Sequence, residues 1–332
     1  MVSTSAGAVG AGAGAGAAGA GAGAAGAVTP EGPLAEAIEE AVEDALQEGA
    51  SYDPYGPSET PEHLFDHTGF APWIEGLGAV DEAQITAFRE QGYLVVHDAF
   101  SPEEIDAALE GLLDLIGGRS LEFVRSKGIQ FETQAKELLP TLTREQRQDY
   151  VRKLNQYVNY DARLKAMSEH PALLGVVSRL LGGAVPELFA NQALLKPPLI
   201  GREKPWHQDH AFFNVPLGTP VVGVWIALDE ALLENGCMHV IPAGHKEPIV
   251  HFKRRDWQIC DDQVPREEVL AVPLKPGGLL FFDGLLPHGT PPTRSPRRRR
   301  ALQFHYIPDR TGRIAEEERM AVFGGEGRGV TC

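Results

Sequence analysis

The chain has 332 residues, 43% of them hydrophobic, and its 46 acidic against 30 basic side chains give a formal net charge of −16. That length allows one large or two ordinary domains with a substantial core, and the acidic balance argues against binding duplex nucleic acid and for small-molecule chemistry. Three cysteines without a C-x-x-C pair, Cys237, Cys260 and Cys332, argue against a disulfide framework or a thiolate zinc site and make a reducing cytoplasm the default, while no stretch of about 20 strongly apolar residues offers a membrane span.

Residues 1–28 are nearly all Gly and Ala and contain no Lys or Arg. A secretory signal needs a basic start and a greasier middle, so a disordered leader is expected, with a targeting or assembly tag as the alternative. Residues 29–80 read as an acidic helix followed by a Pro-rich linker or surface arm. In the helix, Leu34, Ile38, Val42 and Leu46 form a narrow stripe that packs on the domain or on a second copy, unless the helix is merely solvated. The folded body is expected over 81–332. Asp81 with Gln84 makes a capping-box pattern, closed by Gly92 ahead of a strand at Tyr93–Val96. Ser101, Pro102 and Glu104 start a second helix that Gly117-Gly118 ends. A polar helical stretch to about Ser168 and the amphipathic segment PALLGVVSRLLGG follow.

From Glu187 the texture changes to short apolar runs separated by Pro, Gly and Asn: LFANQALL, VVGVWIAL, MHVIP, VLAVPL, GGLLFF and ALQFHYI. This spacing predicts a mainly β fold, an antiparallel barrel or sandwich braced by the preceding helices. Outside the Gly/Ala leader both phosphate-loop patterns, G-x-G-x-x-G and G-x-x-x-x-G-K-[ST], are absent.

The segment KPWHQDHAFF, residues 204–213, carries an imidazole and a carboxylate two residues apart. On a strand His207 and Asp209 share a face while Gln208 points away. With 11 histidines in the chain the tripeptide alone is weak. His288, in GGLLFFDGLLPHGT, is the candidate third ligand. Two histidines and one carboxylate leave three positions open on an octahedral ion, which suits non-haem Fe(II) and oxygen chemistry, whereas zinc prefers a closed or nearly closed tetrahedral set. The run Arg297–Arg300 precedes a β-like segment. Its first two members read as a solvated face, and the pair nearest the strand as able to bind a carboxylate in bidentate fashion.

The order H-x-D (His207–Asp209), N-G-C (Asn235–Cys237), I-P-x-G-H-K (Ile241–Lys246), G-G-x-L-F-F (Gly277–Phe282), H-G-T (His288–Thr290) and Arg299, eleven positions after the last histidine, resembles the phytanoyl-CoA dioxygenase family. The resemblance covers roughly 81–310. It implies a double-stranded β-helix, the jelly-roll or cupin-like barrel, and a dioxygenase using Fe(II), 2-oxoglutarate and O2. It further implies iron ligation by His207, Asp209 and His288, and binding of the distal carboxylate of 2-oxoglutarate by Arg299 with Thr290. Trp225 and Lys153 match positions that contact the cosubstrate in relatives, although Trp225 also reads as core and Lys153 as a surface lysine on a helix. Related halogenases have Ala or Gly where Asp209 stands, so hydroxylation with release of succinate and CO2 is implied. Gln208, Phe212, Phe213 and His305 are the weaker pocket candidates, and Asn235-Gly236 and Pro242–Gly244 are turn chemistry. The expected partner is a small-molecule substrate, possibly CoA- or carrier-linked, which a pocket-facing Lys253–Arg255 would favour; neither nucleic acid nor membrane is expected. The alternatives are a cupin-like metal-binding protein without 2-oxoglutarate turnover and a catalytically silent 2-oxoglutarate-binding module.

Overall fold

The computed structural model describes residues 40–46, 50–56, 59–326 and 328–332. The expected leader, and Leu34 and Ile38 of the acidic helix, lie outside the described residues. Helix α1 covers residues 40–46, and its Val42 and Leu46 are buried in the main core, so this part of the stripe packs on the domain. The other helices are α2 (Glu82–Gln91), α3 (Pro102–Ile116), α4 (Leu121–Arg125), α5 (Arg144–Arg147), α6 (Ala162–Ser168), α7 (Pro171–Leu180) and α8 (Glu316–Phe323). The capping boxes legible in the sequence are real hydrogen bonds. Asp81 accepts from the N–H of Ala83 and Gln84 while Gln84 reaches back to the Asp81 N–H, and Ser101 and Glu104 do the same for α3. Gly92 ends α2 with a φ of 82°, a left-handed conformation that glycine adopts without steric cost.

Sixteen strands occur among the described residues: β1 (Ser51–Tyr52), β2 (Gly69–Phe70), β3 (Trp73–Glu75), β4 (Tyr93–His97), β5 (Ile129–Phe131), β6 (Val151–Asn155), β7 (Pro186–Lys196), β8 (Lys204–His207), β9 (Val222–Ala227), β10 (Met238–Val240), β11 (His251–Lys253), β12 (Trp257–Ile259), β13 (Leu270–Val272), β14 (Leu279–Asp283), β15 (His288–Thr290) and β16 (Arg299–Pro308). Nine of them form one sheet, in the order β1-β5-β6-β7-β16-β9-β14-β4-β3. Five form a second, β2-β13-β10-β15-β8, and β11 pairs with β12. All six apolar runs read from the sequence are strands.

Period-2 alternation explains how these sheets build two cores. On β9 and β16 of the large sheet, Val224, Ile226, Leu302 and Phe304 join Phe88, Leu112, Leu164 and Val177 of the helices. The intervening Trp225, Ala227 and Ala301 face the small sheet and meet Met238, Val240, Ala271 and Val272. A strand covered on both sides is apolar throughout, as VVGVWIAL is. The result is the expected double-stranded β-helix with bracing helices, as two facing sheets rather than one hydrogen-bonded closed barrel.

Three expectations need correction. Residues 51–56 and 59–75 are no detached linker: β1 adds to β5, β2 to β13 and β3 to β4, Asp53 is buried against Arg202, and Phe65 stacks on Trp206 with ring centroids 5.6 Å apart. These contacts join positions far apart in sequence, so prolines and turn residues alone gave no sign of them. The stretch to Ser168 is not continuous helix but short helical turns around β5 and β6, because pairing with the edge of the large sheet overrides local propensity. Cys260 is disulfide-bonded to Cys332, since the C-terminal tail returns alongside β11, where the Gly325 N–H donates to the His251 carbonyl; it is a single bond, not a framework.

Candidate metal centre

Antiparallel pairing of β8 with β15 sets His207 opposite His288. Strand β8 ends there, and Asp209 opens a short 3-10 turn, Asp209–Phe212. The shared strand face expected of His207 and Asp209 is thus replaced by a strand end and a turn, yet the carboxylate still reaches both imidazoles. One ligand atom from each of the three residues lies within 4.8 Å of the other two, and all three residues are buried. His207 Nε2 is 3.2 Å from Asp209 Oδ1, and His288 Nε2 is 3.7 Å from Oδ2. The first separation is close to the roughly 3 Å between neighbouring ligand atoms on an ion bound at about 2.1 Å.

The backbone fixes which ring nitrogen faces the centre. His207 Nδ1 lies 2.8 Å from the Pro205 carbonyl and His288 Nδ1 2.9 Å from that of Leu286. A carbonyl only accepts, so each Nδ1 carries the hydrogen and Nε2 is the nitrogen each ring turns inward. Burial pushes His288 down to about 3, so its ring is neutral at ordinary pH. Burial would raise the Asp209 carboxyl, but the His305 imidazole, which donates to Oδ2, counters this, and the carboxyl is held well below the usual carboxylate range. Two imidazoles and one carboxylate form a donor set that fits a divalent ion.

The three residues line a cavity of about 330 Å³. Arg299, the first residue of β16, lines the same cavity, and so do Thr290, Trp225 and Lys153. Arg299 is 3% exposed, and its Nε and Nη1 have no partner among the described residues. Its guanidinium sits 5.2 Å from the Trp225 ring, whose own Nε1 is also buried and unpaired. Burial lowers Arg299 to about 10, leaving it cationic. A desolvated cation without a counter-ion is costly, and here it borders a space that an anion can enter. Burial, then Lys204 and Arg152, push Lys153 down to about 8.

A profile of the family described as phytanoyl-CoA dioxygenase (PhyH) matches residues 88–301. The chain belongs to the phytanoyl-CoA dioxygenase family. Membership makes it a dioxygenase of the class that uses Fe(II), 2-oxoglutarate and O2. Among curated relatives, the phytanoyl-CoA dioxygenase domain-containing protein 1 of Rattus norvegicus is 28% identical over 277 residues, 70% of this chain and 91% of the relative, and that of Danio rerio is 25% identical with the same coverage. Among solved structures, EctD from S. alaskensis with 2-oxoglutarate and 5-hydroxyectoine superposes with a TM-score of 0.57 at 22% identity, covering 83% of this chain and 86% of EctD. EvdO2 from Micromonospora carbonacea var. aurantiaca complexed with 2-oxoglutarate gives 0.56 at 23% identity, covering 75% and 98%.

Of the weaker pocket candidates, Phe212, Phe213 and His305 line the cavity, and Gln208 does not. Gln208 is fully buried on the far side, where Nε2 donates to the carbonyls of Glu247 and Leu285 and Oε1 accepts from the Ile249 N–H. Both of its amide hydrogens and its carbonyl oxygen are engaged in bracing loops, so it is removed from the pocket candidates. Lys153 lies on β6, not on a helix. The run Lys253–Arg255 also misses the cavity: Lys253 and Arg254 are exposed, and Arg255 pairs with Glu203 and Asp261. Arg297 is exposed as expected and pairs with Glu230. Asn235 builds a turn by accepting from the Leu232 N–H and donating to the Glu230 carbonyl.

Sequence reasoning missed Gln303, which shares a strand face with Arg299 and His305; the i, i+4, i+6 spacing on β16 was the available signal. It also missed the rim, where Asp53, Arg202, Lys204 and Asp256 line the cavity. Their pairings, Asp53 with Arg202 and Lys204 with Asp256, span 149 and 52 residues, and no local pattern announces them.

Proposed function

We propose that His207, Asp209 and His288 hold Fe(II), that Arg299 and Thr290 hold the distal carboxylate of 2-oxoglutarate, and that the enzyme hydroxylates a C–H bond of a small molecule. The observation that carries this reading is the joint presence, on one cavity, of three convergent ligand atoms and a buried guanidinium without a carboxylate partner among the described residues. Bound together, Fe(II) and 2-oxoglutarate supply oxygen activation, with the keto acid leaving as succinate and CO2. The chain's own residues bind and orient. The Trp225 ring backs the guanidinium and its Nε1–H is free to donate, and Lys153 adds a second cation to the cosubstrate side. Phe212 and Phe213 give the cavity apolar walls that exclude water. Asp209 occupies the protein's third ligand position, which favours hydroxylation over halogenation. A volume of about 330 Å³ is at the small end for ligand pockets, roughly 300–1,000 Å³, and 2-oxoglutarate must share it, so only a small reacting portion of the substrate fits inside and any carrier stays outside.

Anaerobic reconstitution with Fe(II) and 2-oxoglutarate tests this. A weak visible charge-transfer band should form, and admitting oxygen should release succinate. A folded protein that gives neither is not this enzyme.

A further inference from the structure

Two cavity residues have no task in the scheme above. Alternation along β16 puts Gln303 and His305 on the same face as Arg299, and both side chains turn to Asp209. Gln303 Nε2 lies 3.0 Å and His305 Nε2 2.7 Å from Asp209 Oδ2. Both residues are buried, and the His305 ring sits among Phe213, Phe282 and Phe189, with centroids 4.8, 6.0 and 6.1 Å away. Those rings leave the imidazole little room to turn. An ionised carboxylate only accepts, so at 2.7 Å His305 Nε2 carries a hydrogen and donates it. Oδ2 therefore receives two N–H donors, while Oδ1 faces His207 Nε2 at 3.2 Å.

A carboxylate can bind an ion through one oxygen or two, and two-oxygen binding would consume one of the three positions that the keto acid and oxygen require. We propose that Gln303 and His305 are positioning residues that engage Oδ2 through paired N–H donors, so that Asp209 presents the metal with Oδ1 alone. This rests on the metal-binding reading above. Removing a donor frees Oδ2 to rotate toward the ion, which changes both affinity and coordination number. Partners of this kind typically account for about 10–100-fold in metal affinity.

Anaerobic Co(II) titration of the full chain, followed by visible absorption, reads both quantities without turnover. His305→Leu and Gln303→Leu should weaken Co(II) binding by about 10–100-fold and alter the intensity of the cobalt bands. His305→Gln, whose amide nitrogen stands as many bonds from Cβ as Nε2 does, should restore affinity and spectrum to within a few-fold of wild type. Gln303→Glu, of the same shape but facing Asp209 with a second carboxylate, should bind the ion with an altered spectrum, and it serves as the test if the leucine variants melt early. Variants that fold like wild type and keep its affinity and spectrum would overturn the proposal. If wild type binds no Co(II), or Asp209→Ala binds as tightly as wild type, the metal-site reading itself fails and this inference goes with it.

Discussion

Arg299 and Arg202 line the same cavity and are nearly equally buried, and each leaves its Nε without a partner, yet only one of the two charges meets a carboxylate. Arg202, at the rim, donates through Nη1 to Asp53 at 2.5 Å and through Nη2 to the Arg255 carbonyl, with the Tyr55 ring 5.7 Å from its guanidinium. Arg299, in the interior, has no carboxylate partner among the described residues, and two of its nitrogens are unsatisfied. A buried charge is tolerated when it is paired. The rim satisfies that rule within the chain and so reads as structure. The interior leaves it open and so reads as a place for a ligand.

The largest effect should come from the metal corner. Asp209→Ala removes the one charged ligand and should abolish both the Fe(II)–2-oxoglutarate absorption band and succinate release, with folding checked by circular dichroism. Next, the two arginines should respond differently to the same change. Arg202→Leu strands Asp53 without its closest cation and should lower unfolding free energy by about 3 kcal/mol, measured by denaturant titration. Arg299→Leu removes an unpaired charge, so the ligand-free protein should be no less stable, while affinity for 2-oxoglutarate falls at least about tenfold, since hydrogen bonds to charged groups are worth about 1.5–3 kcal/mol. Equal loss of stability in both variants would erase the distinction.

A smaller effect concerns Lys153. Its ammonium, already lowered to about 8 by burial, is lost as pH rises through that value, so kcat/KM for 2-oxoglutarate should fall above pH 8 in the wild-type enzyme. Lys153→Met should start lower and lack this fall. The smallest change should follow Trp225→Phe, which keeps the ring behind Arg299 but deletes the unpaired Nε1–H; a few-fold rise in KM for 2-oxoglutarate is expected.

What the sequence revealed follows the same division. The interior was legible because its residues obey local rules: His207 and Asp209 are two apart, His288 follows an apolar strand and a tight turn, and Arg299 starts a strand. Their order and spacing together carry far more information than any tripeptide. Strands buried on both faces, such as β9, announce themselves as apolar runs. The rim was not legible. Asp53 lies in a Pro-rich segment that resembles a linker, and only folding brings it to Arg202. Around Lys153 a helix is as legible as a strand, because β6 has too few apolar residues to show a strand period, and its identity as a strand comes from its neighbours β5 and β7. Cys260 and Cys332 share no motif; the returning tail brings them together.

The most direct measurement of the central claim is anomalous diffraction from crystals grown anaerobically with Mn(II) or Fe(II) and 2-oxoglutarate. The account requires one metal peak at about 2.0–2.2 Å from His207 Nε2, one Asp209 oxygen and His288 Nε2, with the distal carboxylate of the keto acid on the Arg299 guanidinium. A metal peak elsewhere, or a keto acid bound away from Arg299, would contradict it.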